Sequence, residues 1–377
     1  MRKGYYYSNR RSAHHQKGVA LITSLIITTV AVSVATLLIY RQQIQIRLSS
    51  NISTLEQNYQ YAYGMEDFAG TILKSNLEDQ PDFVSLNDDW YSETGLVLPI
   101  TGGTMTGKLY DLQARINLNS LNRPIIEIPA PPPVTDPITP PTTIDIASVT
   151  KARITELVRI IDEEQAMGPP ENFAIIVKDW IDSDQENGNS IVPGFNNDRG
   201  NGAETNYYQS LETAYYSANT EMISPTEIRL LKNMKEALYK KITDNISTLP
   251  TEFGNQPLNT PINVNTASES VLKTLGFDPD TVGQIIDIRK DTPYESRDTF
   301  LNSPEVRPFI QTENNPTADV NPLDIDVTSQ YFLLEGKVEI NDTRLFVNSI
   351  LWRKQDGTVS VIMRDFSNPQ TISKVVN

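Results

Sequence analysis

The amino-acid sequence predicts an α+β protein in which a long N-terminal helix packs on an antiparallel sheet and a large helical domain interrupts that sheet. Three observations predict this architecture. An uncharged apolar run near the N-terminus leads into a periodic segment that no proline interrupts before Pro81. Strand-like alternation occurs at residues 109–121 and returns only near residue 330. Helical patterns fill most of the chain between these two strand regions.

The first forty residues combine a basic leader with an apolar run. Five positive charges precede Gly18, namely Arg2, Lys3, Arg10, Arg11 and Lys17. The 22 residues from Val19 to Tyr40 carry no charge, and as a helix they span about 33 Å, enough to cross a bilayer. This run is too long for an ordinary secretory signal, whose apolar region has about 7–15 residues. Residues 1–18 are therefore either the cytoplasmic end of a plain anchor or a leader that is removed after Gly18.

Apolar residues continue at helical spacing beyond the transmembrane part, 19–40. The positions that recur three, four or seven residues apart are Ile44, Leu48, Ile52, Leu55, Tyr59, Ala62, Ala69, Ile72 and Leu73. One helix is therefore predicted from Val19 to near Leu77, with its first half in lipid and its second half on a globular head. The alternative is two helices that are separated by a break at residues 49–51.

The predicted sheet is split between two distant parts of the chain. The strand patterns are 109–121, 331–340, 343–354 and 358–365, with a hairpin turn at residues 354–357 that ends in Asp-Gly. The proline-rich stretch 124–141 predicts an extended connection. Helical patterns follow at 150–166, 171–182, 205–215, 225–245, 267–275 and 279–290. The simplest arrangement is a head formed by 41–124 and 328–377, with an inserted helical domain at 125–327.

Composition excludes several kinds of site. The net charge is −15 and becomes about −20 without the leader, which disfavours binding to the phosphates of a nucleic acid. The sequence has no cysteine, and its two histidines, His14 and His15, lie in the leader. Without the leader, therefore, Cys–His and Ser–His nucleophilic sites are excluded and a zinc site is disfavoured. Carboxylate catalysis and oxygen-ligated calcium remain possible.

An acidic segment at 178–208 is the candidate metal site. Asp182, Asp184 and Glu186 stand at alternate positions, and in a turn this spacing directs three carboxylates toward one centre, as in the first half of a calcium loop. The spacing of the following glycine is not that of an EF-hand. Glu204 is predicted to supply a closing carboxylate, and Asp198 is a further candidate. The alternative is a solvated acidic loop.

Residues 262–301 resemble a helix-hairpin-helix (SAM-like) unit. Nucleic-acid-binding units of this kind present backbone amides of a glycine-rich hairpin to phosphate. Here the hairpin begins at Gly276 but lacks the second glycine, and it places Asp278 and Asp280 where a phosphate would bind. The unit is therefore predicted to be a scaffold that binds no nucleic acid.

The sequence QKG-VALITSL around Gly18 resembles the class III leader of type IV pilins and type II secretion pseudopilins. This resemblance implies that a prepilin peptidase cleaves between Gly18 and Val19 and that the new amine is methylated. In most members the fifth mature residue is a glutamate, which is thought to offset the free amine of a neighbouring subunit, but here it is Thr23. The minor pseudopilin without this glutamate belongs to the general secretion pathway protein K family. RINLNSL (115–121) and the motifs DWID and GAETNYY within 179–208 also resemble that family.

The resemblance implies a pilin-like head with an inserted helical domain that binds calcium. It also implies a non-enzymatic subunit at the tip of the type II secretion pseudopilus that primes assembly for export across the outer membrane. The implied partners are minor pseudopilins I and J, and through them minor pseudopilin H and major pseudopilin G. The chain would cross the bacterial inner membrane once, with its globular part in the periplasm. The alternatives are a minor pilin of a type IV pilus and a membrane-anchored periplasmic enzyme that uses acidic residues.

Overall fold

The computed structural model describes residues 17–123, 126–127, 143–162, 170–185, 202–253, 256–258, 260–311 and 320–367. The α-helices are α1 (Lys17–Asp79), α2 (Ile146–Ile161), α3 (Pro170–Ile181), α4 (Thr205–Gln209), α5 (Glu236–Ile242), α6 (Glu269–Lys273), α7 (Pro279–Asp291) and α8 (Arg297–Leu301). Short 3₁₀ helices occur at Leu118–Asn122, Pro225–Leu230, Thr243–Asn245, Arg307–Phe309 and Pro322–Asp324.

The strands comprise five that form one sheet and several two-residue pairs. They are β1 (Leu96–Ile100), β2 (Gly103–Asp111), β3 (Ile116–Asn117), β4 (Ile126–Glu127), β5 (Thr143–Ile144), β6 (Ile246–Ser247), β7 (Glu252–Phe253), β8 (Gln256–Pro257), β9 (Ile262–Asn263), β10 (Ile325–Asp326), β11 (Tyr331–Ile340), β12 (Thr343–Arg353) and β13 (Val359–Asp365).

Helix α1 is continuous over 63 residues, or about 95 Å, so the predicted single helix is confirmed and the break at residues 49–51 does not occur. Among the described residues, its N-terminal part is the stretch that is long and apolar enough to cross a membrane. Hydroxyl side chains in this stretch donate to carbonyls one turn back, as Thr23 Oγ1 does to Val19 O at 3.0 Å. Such bonds satisfy polar groups that would otherwise be unpaired in lipid.

The head is an antiparallel sheet in the order β1-β2-β11-β12-β13, and the C-terminal half of α1 packs on one face of it. Strands β2 and β11 are hydrogen-bonded neighbours although the inserted domain separates them in sequence. Because these two strands lie side by side, the chain leaves the sheet and returns to it at almost the same place. An insertion there does not disrupt the sheet.

A pair of glycines sets the distance between α1 and the sheet. Gly107 of β2 and Gly336 of β11 stand opposite each other, and the side chain of Met65 on α1 covers both. A Cβ atom on Gly336 would overlap Met65 Sδ and lie 2.6 Å from Val347 Cγ1, and one on Gly107 would lie 3.0 Å from Met65 Sδ. Real Cβ atoms essentially never approach a neighbour as closely as at Gly336, and the contact at Gly107 would be tighter than most, so glycine at these positions favours the close approach of α1 to the sheet.

One strand prediction needs correction, and one hairpin was not predicted. The strand predicted over 109–121 ends at Asp111, because the Asp111 carboxylate accepts a hydrogen bond from the backbone N–H of Gln113 at 2.8 Å and turns the chain. Residues 118–122 form a 3₁₀ helix instead of a strand. The hairpin β1–β2 was missed, and its turn uses Gly102, whose φ of +84° favours glycine. The strands predicted at 331–340, 343–354 and 358–365 and the turn at 354–357 are confirmed.

The helical block is less regular than its sequence pattern predicts. The helix predicted over 205–215 stops at Gln209, where the Ser210 hydroxyl donates to Tyr207 O. The helix predicted over 225–245 is divided between a 3₁₀ segment and α5, with Asn233 in a left-handed conformation between them. The core of the inserted domain also takes in residues 116–121, ahead of the predicted limit at 125, because β3 pairs with β6.

We expect Gly336→Ala to lower the stability of the head by about 1–3 kcal/mol, because the new methyl group overpacks the contact between α1 and the sheet. The measurement is thermal unfolding of the full chain in detergent. Gly64→Ala is the matched control, because nothing lies within 4 Å of its added Cβ and alanine favours a helix by up to about 1 kcal/mol. A Gly336→Ala variant as stable as the parent would contradict the proposed packing constraint.

Candidate metal site

Three acidic residues meet where α3 ends and α4 begins. The carboxylate oxygens of Asp182, Asp184 and Glu204 lie within 4.8 Å of one another. Asp182 directly follows α3, whereas Glu204 is the residue before α4. The structure thus brings together three of the predicted ligands from the two ends of the acidic segment. The other two, Glu186 and Asp198, lie outside the described residues.

Glu204 is the most unusual member of this cluster. Its side chain is 3% exposed, and within the described parts of the chain neither of its carboxylate oxygens has a hydrogen-bond donor. Burial, together with the negative charges of Asp179, Asp182 and Asp184, raises the pKa of Glu204 to about 8. A buried carboxylate without donors is costly. A bound cation would provide the missing favourable interaction.

The two carboxylate oxygens of Asp182 differ in their hydrogen bonding. Its Oδ2 accepts from Lys178 Nζ at 3.0 Å, and this ion pair is almost completely buried. Lys178 also donates to Asn122 Oδ1 at 2.6 Å, which fixes the position of its ammonium group. Asp182 Oδ1 is buried and meets no donor among the described residues. Burial raises the pKa of Asp182, although the charge of Lys178 opposes that rise.

An aromatic cluster holds α3 against α4 beside the carboxylates. Trp180 of α3 meets Tyr208 of α4 edge to face at 5.1 Å, and Tyr208 stacks on Tyr215 at 5.2 Å. Trp180 Nε1 also donates to Glu227 Oε2 at 3.3 Å. These contacts help to position the two helix ends, and therefore the acidic side chains.

The chemistry of the cluster favours a hard cation. Its ligand atoms are carboxylate oxygens, which Ca²⁺ prefers, and Ca²⁺ takes six to eight oxygen ligands. Sequence reasoning missed Asp179, which is buried in α3 and adds negative charge at Glu204. It also missed Lys178, which orients Asp182. The signal was available, because positions three or four apart on a helix share a face.

Comparisons with known proteins place the chain in a family. Two sequence models, both described as "Type II secretion system (T2SS), protein K", match residues 114–251 and 262–321. A type II secretion system protein K from Pseudomonas aeruginosa is 30% identical over 358 residues, which cover 93% of this chain and 92% of the relative. The chain belongs to the type II secretion system protein K family. A protein K from Aeromonas hydrophila is 25% identical, with coverage of 94% and 98%.

A solved structure shows the same fold. A chain from the crystal structure of the GspK-GspI-GspJ complex of the enterotoxigenic Escherichia coli Type 2 Secretion System superposes with a TM-score of 0.63 at 21% identity. The match covers 85% of this chain and 99% of that one. The predicted protein K family and the pilin-like head with an inserted helical domain are therefore both confirmed. The first family match contains the acidic cluster, and the second contains the predicted helix-hairpin-helix unit.

Proposed function

We propose that this chain is the structural subunit at the tip of a type II secretion pseudopilus, where it initiates assembly together with other minor pseudopilins. Family membership makes it a minor pseudopilin of type II secretion. The proposal adds cleavage after Gly18, methylation of Val19, and a single pass through the inner membrane with the head in the periplasm. The role is structural and involves no catalysis.

The observation that carries the tip position is the placement of the inserted domain. Arg353 of β12 donates to Leu73 O, near the C-terminal end of α1, and to Ser329 O, where the chain returns from the insertion. The inserted domain therefore joins the head near the end of α1 that is remote from the membrane segment. A domain of this size at that end would obstruct the place of a further subunit stacked above it.

Thr23 supports the same position. In the related pseudopilins the glutamate at this place is thought to offset the amine of a neighbouring subunit inside the apolar bundle. The Thr23 hydroxyl carries no charge and donates to Val19 O and Ala20 O within its own helix. It cannot neutralise a neighbour's ammonium group in lipid, where an unpaired charge is costly. Such a subunit is best accommodated where no neighbour requires that charge.

The partners we propose are minor pseudopilins I and J, and through them minor pseudopilin H and major pseudopilin G, with prepilin peptidase as the processing enzyme. The solved relative is described as part of a GspK-GspI-GspJ complex. In this chain α1 exposes an apolar stripe between the membrane segment and the head, formed by Ile44, Leu48, Ile52 and Leu55. A stripe at helical spacing suits packing against the helices of other subunits.

The continuity of α1 also weighs against the anchored-enzyme alternative. An enzyme tethered to a membrane is expected to follow its anchor with a polar linker, which lets the catalytic domain move. Here the same helix leaves the apolar segment and enters the core of the head, where Ala62, Met65 and Leu73 are buried. A helix that connects the two parts in this way suits a filament subunit.

We further propose that Asp182, Asp184 and Glu204 bind a calcium ion, with Glu186 and Asp198 as additional candidate ligands. Both carboxylate oxygens of Glu204 and Oδ1 of Asp182 support this assignment, because they are buried and have no hydrogen-bond partner among the described residues. A cation shared by Asp184 and Glu204 would join two positions that lie about twenty residues apart in sequence. Closing a segment of that length by a metal stabilises the folded chain, because the unfolded chain loses the corresponding freedom.

Calcium is expected to raise the melting temperature of the full chain. At a calcium concentration 100 times Kd, the free energy of unfolding should increase by about 2.7 kcal/mol. Glu204→Gln should abolish this effect. With a chelator present near pH 7, the same variant should be more stable than the parent, because it removes a carboxyl group whose ionised form is disfavoured in the folded chain. Glu212→Gln, an exposed position nearby, should respond to calcium like the parent. Titration of the parent with no heat and no melting shift would disprove the calcium site.

The tip complex is tested by replacing one residue of the apolar stripe. We expect Leu48→Lys to reduce co-isolation with I and J from membranes by roughly tenfold or more, because one buried leucine contributes about 1.5–3 kcal/mol. Gln57→Lys is the control, since it lies nine positions on, at the opposite side of α1, and is exposed. Equal capture of the Leu48→Lys variant and the parent would contradict the proposed interface.

A further inference from the structure

The head and the inserted domain have separate apolar cores. One cluster of buried residues lies between α1 and the sheet, and another lies among the helices of the insertion. The cluster that spans the junction on the opposite face of the sheet is small, with the buried residues Leu112, Leu249, Tyr331 and Ile350. Apolar burial is non-directional. A contact of this size holds two bodies together but does not by itself set the angle between them.

Several of the directional contacts at the junction converge on Asp111. This residue ends β2, and its side chain is buried. Its Oδ2 accepts from Asn263 Nδ2 at 3.1 Å, from Ser329 Oγ at 2.6 Å and from the Thr266 hydroxyl, while Oδ1 accepts from Gln113 N. Burial raises the pKa of Asp111, and these four donors act in the opposite direction.

The donors to Asp111 come from three different parts of the junction. Gln113 lies where the chain leaves the sheet, and Ser329 lies where it returns. Asn263 and Thr266 belong to the start of the helix-hairpin-helix unit, and Asn263 Nδ2 also donates to Val84 O in the segment that follows α1. One carboxylate thus joins the outgoing chain, the incoming chain and the inserted domain.

The hydrogen-bonded network continues from Asp111 in both directions. Toward the membrane-spanning helix, Arg353 links Ser329 O to Leu73 O, at 2.9 and 3.1 Å, and to Asn76 Oδ1 at 2.8 Å. Toward the insertion, Asn265 exchanges two hydrogen bonds with the backbone of Tyr294, at 2.9 and 3.0 Å. A polar network that is satisfied in this way rigidifies the groups that it connects.

We propose that the helix-hairpin-helix unit attaches the inserted domain rigidly to the head. Asp111 is the positioning residue that fixes the inserted domain at one angle on the head. The hairpin end that would face phosphate in a nucleic-acid-binding unit carries Asp278, whose carboxylate caps α7 by accepting from Thr281 N at 2.9 Å. The opposite end, residues 263–266, faces Asp111. The inserted domain therefore moves with α1 as one body.

Spin-label distances in the full chain in detergent test this proposal, and the absence of natural cysteine means that only introduced residues are labelled. The inter-domain pair is Thr71→Cys on α1 and Asp280→Cys on α7, both exposed. The pair Glu212→Cys and Asp280→Cys lies within the insertion and reports its folding. The parent should give one narrow distance for each pair.

Asp111→Asn keeps the size of the side chain but turns an amide group toward donors. It should abolish the single narrow inter-domain distance and leave the distance within the insertion unchanged. The matched control is Asp88→Asn. Asp88 is also a buried carboxylate, but its donors Ser85, Asn76 and Trp90 all belong to the head. This variant should keep the narrow inter-domain distance.

The proposal is overturned if Asp111→Asn keeps the parent's narrow inter-domain distance, or if Asp88→Asn broadens that distance as much. If the narrow distance within the insertion is also lost in Asp111→Asn, the insertion itself is disturbed. The same two distances are then measured in the double variant Thr266→Val and Ser329→Ala. It removes two donors to Asp111, one on the inserted domain and one on the returning chain, and leaves the carboxylate in place. A narrow inter-domain distance in that variant overturns the proposal, and a selectively broadened one supports it.

Discussion

Helix α1 presents apolar side chains along most of its 63 residues, and each part needs surroundings that shield them from water. The segment 19–40 is long and uncharged enough for a bilayer. From Asn58 onward one face is buried on the antiparallel sheet of the head. Between these parts the stripe at Ile44, Leu48, Ile52 and Leu55 is exposed. The helix therefore leaves apolar surface uncovered in a single molecule, and under the proposed function a bundle of related helices covers it.

The head and the inserted domain follow from the same constraint. The glycine pair at Gly107 and Gly336 lets α1 lie directly on the sheet. The pairing of β2 with β11 lets a large domain leave and re-enter at one point near the end of the helix. Asp111 and Arg353 then connect this exit point to the insertion and to α1 by hydrogen bonds. A rigid head with a bulky far end is suited to finishing a filament rather than to repeating within it.

Much of this architecture could be predicted because it depends on local patterns in the amino-acid sequence. The periodicity of α1, the alternation of β11 to β13 and the Asp-Gly turn need only short stretches of sequence. The β1–β2 hairpin and the early end of β2 were missed although they are also local, since β2 ends where Asp111 accepts from the N–H of Gln113, two residues on; apolar alternation does not report such a turn. At the candidate site, alternate acidic residues and the family resemblance pointed to Asp182, Asp184 and Glu204. Asp111 escaped notice because its partners Asn263 and Ser329 are 152 and 218 residues away in sequence.

The tip position is the central claim, and its most direct test is the location of the chain on isolated pseudopili. Gold-labelled antibodies against the inserted domain, viewed by electron microscopy, show where this subunit lies. The account predicts gold at one end of each fibre and none along its length, because the inserted domain obstructs a further subunit above it. Gold distributed along the fibres would contradict this account, because it would mean that the chain repeats within the filament.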